Sequence, residues 1–226
     1  MHRQKRELNT RMPLLINEAD FNLKLQVMGK NIDHTKEFLA KGTAPFVLPG
    51  YVVPIGYQFV KARTSDQYRL ITYLPDGSPI TVYVVEVEFH EQITHPRRSC
   101  TQIMVWRTTD SRHDKAVRGL PQHFFSYLLD EHDIVVSDEE QTGAGRRFWH
   151  VMLDWAFSQG YHIYIADGTY DENFLLYQVK NMDEFFEKWD PFAWGKDKEV
   201  HLHRRAVISK SMLNSSIPDA EHIGNA

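Results

Sequence analysis

Alternating apolar and polar positions predict an antiparallel sheet in the middle of the chain. Residues 70–74 and 80–89 are rich in β-branched and aromatic side chains, which is typical of strands. Between them lies Pro75-Asp76-Gly77-Ser78-Pro79, a turn in which Gly77 can adopt a positive φ. A third alternating run at 101–106 adds another strand. Together these runs predict a three-stranded meander.

After the meander, helical and strand patterns alternate. Apolar residues at helical spacing predict helices at 121–131 and 146–159, while the apolar runs at 133–137 and 161–166 predict short buried strands. The second helix follows a loop that contains two glycines. A short helix capped by Asn181, with Glu184 three residues later, and a last strand at 200–208 complete the predicted order.

The N-terminal pattern fits two structures. Apolar residues in 14–41 fall on one helical face, but those in 21–27 also alternate as in a strand. The length of the segment and the terminator Gly42 favour a helix. The predicted divisions are a flexible arm at 1–13, a helix and connection at 14–54, a folded domain at 55–210 and a flexible tail at 211–226.

This order of elements predicts a fold class. We expect a single α/β (α+β) domain with a central mixed, largely antiparallel β-sheet flanked by helices.

Charge and composition argue against several classes of function. The 226 residues include 26 Lys and Arg against 30 Asp and Glu, which gives a net charge of −4. Nucleic-acid and anionic-membrane binding are not expected, because they need an excess of basic residues. No stretch has the length of a transmembrane helix, and the basic start lacks the apolar core of a signal peptide. We therefore expect a soluble, cytoplasmic protein.

Cysteine and histidine patterns give no metal site. One cysteine, Cys100, excludes an intramolecular disulfide and a multi-thiolate zinc site. His90 and His95 are five residues apart instead of four, on a segment that leaves a strand, so zinc binding of the metalloprotease kind is not expected. His201 and His203 share one face of the last predicted strand, with no third ligand nearby. We expect no metal.

The strand–loop–helix around residues 134–159 carries the strongest chemical signal. A glycine-containing loop before a helix exposes backbone N–H groups at the positive end of the helix dipole, where phosphate oxygens bind. Gly143 and Gly145 would let a pyrophosphate approach the backbone, and Arg146 and Arg147 add positive charge. The loop alone also fits a plain turn that leads into a helix. Neither the P-loop motif nor the dinucleotide motif is present.

These elements resemble the GNAT family of N-acetyltransferases. The family loop reads Gln/Arg-x-x-Gly-x-Gly/Ala, and this chain has Glu140-Gln141-Thr142-Gly143-Ala144-Gly145. The glycine pair matches, whereas Glu140 stands where Gln or Arg is expected. The stretch from Val136 to Trp149 is also similar to acetyltransferases encoded by tailed bacteriophages, in which case the location is the host cytoplasm.

The resemblance implies transfer of an acetyl group from acetyl-coenzyme A to an amine of a small molecule or a protein. It implies coenzyme contacts by Val136, Gln141, Thr142, Gly143, Ala144, Gly145, Arg146 and Arg147. The amine needs a general base, for which Asp138 and Glu139 are candidates, with Glu86 and Glu88 as alternatives. Tyr170, or else Tyr177, would protonate the thiolate that leaves.

Two further expectations belong to this resemblance. The pantetheine arm would enter a V-shaped opening between the strands at 134–137 and 161–166. The alternative function is a catalytically inactive protein of the same fold that acts by binding or inhibiting a partner protein.

Overall fold

The computed structural model of the chain describes residues 14–15, 23–90, 94, 98–136, 140–141, 143–168, 175–193 and 204–214. Its strands are β1 (Leu14–Leu15), β2 (Thr43–Pro45), β3 (Tyr57–Ala62), β4 (Gln67–Tyr73), β5 (Pro79–His90), β6 (Arg98–Arg107), β7 (His132–Val136), β8 (Glu140–Gln141), β9 (His162–Asp167), β10 (Leu175–Val179) and β11 (Arg204–Ser209). Its α-helices are α1 (Leu23–Gln26), α2 (Met28–Ala40), α3 (Asp114–Val117), α4 (Leu120–Leu129), α5 (Gly143–Ser158), α6 (Met182–Glu184) and α7 (Asp190–Ala193). A 3₁₀ turn at Ser111–His113 precedes α3, and a π-helical segment at Phe185–Trp189 joins α6 to α7.

Nine strands form one mixed sheet in the order β10-β9-β11-β7-β6-β5-β4-β3-β2. The β6–β7 pair is parallel, and the other neighbouring pairs of this sheet are antiparallel. β1 and β8 form a separate parallel pair. The predicted α+β class, with a central, largely antiparallel sheet flanked by helices, is confirmed.

The predicted meander corresponds to β4, β5 and β6. Gly77 has a φ of 81°, so the turn between β4 and β5 uses the conformation that the sequence predicts. The pattern did not predict β2 and β3, which extend the sheet beyond β4, or β10, which forms its other edge. β2 has only three residues and ends at Pro45, and β10 has only five, so neither gives a clear alternating pattern.

Two layers of helices and chain segments cover the sheet. On one face, Phe124 of α4 and Trp149 of α5 belong to the large core, which also contains Cys100 and Ile134 from the central strands. On the other face, Phe38 of α2 packs over β3 and β4. The α4 and α5 helices therefore cover the face that includes β6 and β7, whereas α2 covers the opposite face at β3, β4 and β5.

The helices occur where the sequence predicts them, but some of their first and last residues differ from the prediction. α2 ends before Gly42, whose φ is 91°, as the terminator predicts. The cap at Asn181 is confirmed, since the Glu184 backbone N–H donates to its Oδ1 at 2.8 Å. α5 begins at Gly143 and not at Arg146, because glycine lowers helix propensity without excluding glycine from a first turn. No helix in the described ranges is long and apolar enough to cross a membrane.

Candidate functional site

The predicted coenzyme ligands lie at the end of β7 and the start of α5. Val136 is the buried last residue of β7, and Gln141 belongs to β8. Gly143 and Ala144 open α5, and Gly145 lies in its first turn. The glycine pair is therefore part of the helix and not of a loop before it.

Four of the predicted site residues lie outside the described residues. They are the candidate catalytic residues Asp138, Glu139 and Tyr170 and the candidate coenzyme ligand Thr142. Their roles stay predictions.

Arg146 and Arg147 have different surroundings. Arg146 forms an ion pair with Asp190 at the start of α7, and the other carboxylate oxygen of Asp190 lies 2.9 Å from Nε2 of His150. Burial alone would raise the pKa of Asp190, but its hydrogen bonds with His150 and Arg146 outweigh burial and hold the pKa below its ordinary value. Arg147 is exposed. The charge of Arg146 is thus neutralised inside the protein, where it joins α5 to α7.

The predicted opening between the strands at 134–137 and 161–166 is absent, and that expectation was wrong. β11 lies between β7 and β9 and pairs with both, from Ala206 opposite Val136 to Ile208 opposite Ile163. Along the chain, β7 and β9 are consecutive strands of the nine-stranded sheet, but they are not neighbours in it, because the last strand, β11, lies between them. No slot exists between β7 and β9 over these pairs.

The structure places an opening one strand away, between β6 and β7. These parallel strands pair at only three positions, which run from Arg98 opposite His132 to Cys100 opposite Ile134. β6 then continues to Arg107 and β7 to Val136 with no further pairs between them. The two strands therefore part at their carboxyl ends.

β6 carries a β-bulge just beyond its last pair with β7. Opposite β5, Val87 pairs with Gln102 and Glu86 pairs with Met104, so Ile103 is an extra residue in β6. A bulge bends its strand and increases the local twist. It follows the last β6–β7 pair by three residues, where the strands begin to part.

The helix that connects the two strands begins near this opening. Because α4 returns the chain from the carboxyl end of β6 to the amino end of β7, its first turn lies toward the diverging ends. Gly119 precedes α4 with a φ of 75°, and no side chain caps the helix. Within the described part of the chain, the buried Oε1 of Gln122 in this first turn has no hydrogen-bond partner.

Basic residues are concentrated in the connection before α4. Lys115 and Arg118 are exposed, and neither forms an ion pair within the described residues. Arg112 is different, since its Nε donates to both carboxylate oxygens of Asp110 at 3.0 and 2.9 Å. Lys115 and Arg118 therefore leave positive charge beside the uncapped start of α4.

The connection between β2 and β3 holds this segment in place. The Tyr51 hydroxyl donates to the Ala116 carbonyl at 2.6 Å, and the Tyr57 hydroxyl lies 2.8 Å from Nδ1 of His113. Burial, with a smaller effect of Tyr57, raises the pKa of Tyr51 to about 12, so its hydroxyl remains a donor at neutral pH. Burial is also the main cause that lowers the pKa of His113. The segment before α4 is therefore fixed by neutral hydrogen bonds.

Two of the three alternative catalytic residues, Glu86 and Tyr177, have structural roles. Glu86 accepts a hydrogen bond from Gln67 at 2.8 Å, and Tyr177 is buried with its ring stacked on Trp189. Glu88 is exposed on β5. Cys100 is fully buried, and burial raises the pKa of its thiol to about 12, which makes it a poor nucleophile.

Among the described residues, no group of three or more His, Cys, Asp or Glu side chains could hold a metal ion. His95, His201 and His203 lie outside those residues.

The chain was compared with known protein families, with curated proteins and with solved structures, and none of them matches it.

Proposed function

We propose that the protein is an acyltransferase that transfers the acetyl group of acetyl-coenzyme A to an amine, and that coenzyme A binds between β6 and β7. The observation that carries the proposal is the parting of these parallel strands after three pairs. Ligands of open α/β sheets bind at the carboxyl ends of parallel strands, where the chain crosses from one strand to the other. This is the same proposed reaction as the sequence resemblance implies, at a different opening.

The shape of the opening suits the pantetheine arm. This arm is narrow and extended and carries two amide groups. The strand edges of β6 beyond Cys100 and of β7 beyond Ile134 face each other without ladder hydrogen bonds between them. Backbone donors and acceptors along such edges can bond an extended chain that carries amides, as in strand addition.

The start of α4 suits the phosphates. Helix N-termini attract anions through the exposed N–H groups and the helix dipole. Gly119 has no Cβ to obstruct this approach, and Lys115 and Arg118 add charge. We therefore move the proposed pyrophosphate site from the first turn of α5 to the first turn of α4. There no internal carboxylate neutralises these two basic side chains within the described residues.

The reaction sets clear requirements for the other groups. The amine nitrogen forms a bond to the thioester carbonyl carbon, and the carbon–sulfur bond breaks. A base must accept the amine proton, and an acid must protonate the thiolate. Asp138 and Glu139 follow β7, whose carboxyl end borders the opening, and Tyr170 follows β9. They remain the candidates for these steps.

A second function has one observation in its favour. Val47, Val52 and Ile55, in the connection between β2 and β3, expose most of their side chains, although Tyr51 anchors this connection. Apolar side chains held outward on a fixed loop are typical of protein-binding surfaces. A protein that binds a partner and does not react with coenzyme A would account for them.

The test compares the melting of the protein with and without coenzyme A. At a ligand concentration 100 times the dissociation constant, binding stabilises the folded state by about 2.7 kcal/mol. Gly119→Asp should weaken binding by about 10- to 100-fold through repulsion of the phosphates. Gly119→Asn is the matched control, since Asn is also tolerated at positive φ but carries no charge.

Gly145→Asp separates the two possible phosphate sites. If the phosphates lie at α4, Gly145→Asp keeps the response to coenzyme A and Gly119→Asp loses it. The reverse result would return the site to α5. No response of the unmodified protein at millimolar coenzyme A would favour the protein-binding function.

A further inference from the structure

The loop between β2 and β3, residues 46–56, presents apolar side chains to solvent. It contains no charged residue. Val47, Val52 and Ile55 are 83%, 87% and 103% exposed, which makes them the most exposed large apolar residues in the described part of the chain. Single exposed apolar residues are ordinary on protein surfaces, but three of them within one short loop indicate a surface that binds a partner.

Hydrogen bonding and packing hold the two valines outward. The Tyr51 N–H donates to the Leu48 carbonyl at 3.1 Å and closes a turn, which Val47 and Val52 flank on either side. Leu48 is buried in the core, and the Tyr51 ring packs edge-on against Phe59. Because the turn directs its own apolar residues into the protein, the two flanking valines lie side by side on the outside.

A second turn carries Ile55. The Tyr57 N–H donates to the Pro54 carbonyl at 3.1 Å, and the Thr72 hydroxyl donates to the Gly56 carbonyl at 2.7 Å. These bonds fix the turn to β4. A partner that covers this loop therefore has little backbone to order, which lowers the entropic cost of binding.

Exposed basic residues border the loop. The Tyr51 hydroxyl donates to the Ala116 carbonyl, so the loop lies against the segment that carries Lys115 and Arg118. Both residues are exposed, and neither forms an ion pair among the residues that the structure describes. The exposed acidic residue beside them is Asp114. Positive charge is therefore in excess here, although the whole chain has a net charge of −4.

We infer that residues 47–55, together with Lys115 and Arg118, form a docking surface for a segment of another protein that carries acidic residues next to apolar ones. Apolar side chains of the partner cover the loop, and its carboxylates pair with the basic border. A second copy of this chain fits less well, because a two-fold contact would bring the two basic borders together. The inference goes beyond coenzyme A binding and gives the protein-binding function a partner of stated chemistry.

The test selects binders from a random library of peptides of about twelve residues displayed on messenger RNA. Peptides retained by the unmodified protein should contain more Asp and Glu than Lys and Arg, next to Leu, Ile, Val or Phe. Selection on the Lys115→Glu, Arg118→Glu variant should reverse this preference and enrich basic peptides. The matched control, Lys30→Glu with Lys36→Glu at exposed positions of α2, should keep the preference for acidic peptides.

Fluorescence anisotropy then measures the affinity of the most enriched peptide. Val52→Ser with Ile55→Ser should weaken binding by about 10-fold or more, since both substitutions remove apolar surface that the peptide covers. Val151→Ser, at an exposed valine of α5, is the control and should bind within about twofold of the unmodified protein. All these positions are exposed, so the variants should melt close to the unmodified protein.

The test also separates this surface from the coenzyme site. Lys115 and Arg118 belong to both proposals, whereas Val52 and Ile55 belong to the docking surface alone. The Val52→Ser, Ile55→Ser variant should therefore lose the peptide and keep any response to coenzyme A. A protein that binds the acidic peptide but not coenzyme A would overturn the acyltransferase proposal and leave the docking surface in place.

Several results would overturn the docking surface. They are a selection that enriches no peptide, an enriched set without an acidic excess, and a peptide affinity that Val52→Ser with Ile55→Ser does not change. Binding to vesicles of phosphatidylserine and phosphatidylcholine that needs Val52 and Ile55, with no enriched peptide, would assign the loop to a lipid surface. Dimerisation in sedimentation equilibrium that the same variant abolishes would assign it to a second copy.

Discussion

At the scale of single residues, the side-chain amide of Asn31 supports an irregular point in β5. Asn31 is buried in α2, and its Nδ2 donates to the Thr81 carbonyl at 2.9 Å while its Oδ1 accepts from the Thr81 N–H at 2.8 Å. The next residue, Val82, is a bulge, because Leu70 and Ile71 of β4 pair with Tyr83 and Thr81. One amide therefore binds both backbone polar groups of a buried residue and fixes α2 on the sheet.

Asn31→Ala should lower the free energy of unfolding by about 2–4 kcal/mol, because it leaves the buried N–H and carbonyl of Thr81 without these partners. Urea unfolding measures the change. Lys36→Ala, at an exposed position of the same helix, is the control and should stay within about 0.5 kcal/mol. A loss for Asn31→Ala no larger than for the control would show that the amide does not support β5.

The sequence predicted contacts between residues that are close together in the chain. It did not predict contacts between residues that are far apart in the chain. The cap of α6 needs only Asn181 and Glu184, three residues apart, and the spacing itself indicates it. Asn31 and Thr81 are 50 residues apart, and nothing near either residue indicates the contact. The same holds for Arg146, whose partner Asp190 lies 44 residues away. Sequence reasoning therefore assigned Arg146 to a phosphate.

At the scale of elements, Asp190 links α5 to the C-terminal helices. It pairs with Arg146 and His150, both on α5. These two residues lie four positions apart, so they are on the same face of the helix. The link explains why the basic first turn of α5 is stable although positive charge at a helix N-terminus opposes the helix dipole.

Asp190→Asn should destabilise the protein by about 1–3 kcal/mol at pH 7, since it removes the charge that Arg146 and His150 face. The pKa of Asp190 is lowered in the folded protein, so its contribution is complete above the ordinary pKa of about 3.9 and is lost as the pH falls through the lowered value. The difference between variant and unmodified protein should therefore shrink at pH 3. Urea unfolding at both pH values measures it.

Asp154→Asn is the control for this pair, because Asp154 is exposed on the same helix. It should change stability little at either pH. An equal loss for Asp190→Asn at pH 3 and pH 7 would mean that Asp190 acts through packing and not through its charge.

At the scale of the whole molecule, the sheet consists of two antiparallel parts joined by a short parallel contact. β2 to β6 form one part, and β7, β11, β9 and β10 form the other. Period and composition predicted six strands of this sheet, β4, β5, β6, β7, β9 and β11. They did not predict the strand order, because the position of β11 between β7 and β9 depends on pairing across distant segments. Because sequence reasoning did not predict that β11 lies between β7 and β9, it expected an opening between those two strands instead of between β6 and β7.

Chemical labelling of Cys100 can measure how often the parallel contact between β6 and β7 opens. Cys100 is the single cysteine of the chain, and it pairs with Ile134 in the last pair between the two parts of the sheet. Its thiol is buried, with a pKa raised to about 12 mainly by burial, so reagents reach it only when the contact opens. If opening costs about 3 kcal/mol, labelling by iodoacetamide should be about 100-fold slower than in the unfolded chain.

Acetyl-coenzyme A, which has no free thiol, should slow this labelling further if it binds across the two parts. At 100 times its dissociation constant, it should reduce the rate about 100-fold when opening abolishes binding. A cysteine at the exposed position 36 (Lys36→Cys in a Cys100→Ser chain) is the control and should label at one rate with and without ligand. Melting that rises with acetyl-coenzyme A while Cys100 labelling stays constant would place the ligand away from β6 and β7, because a ligand held between the two strands cannot remain bound when they separate.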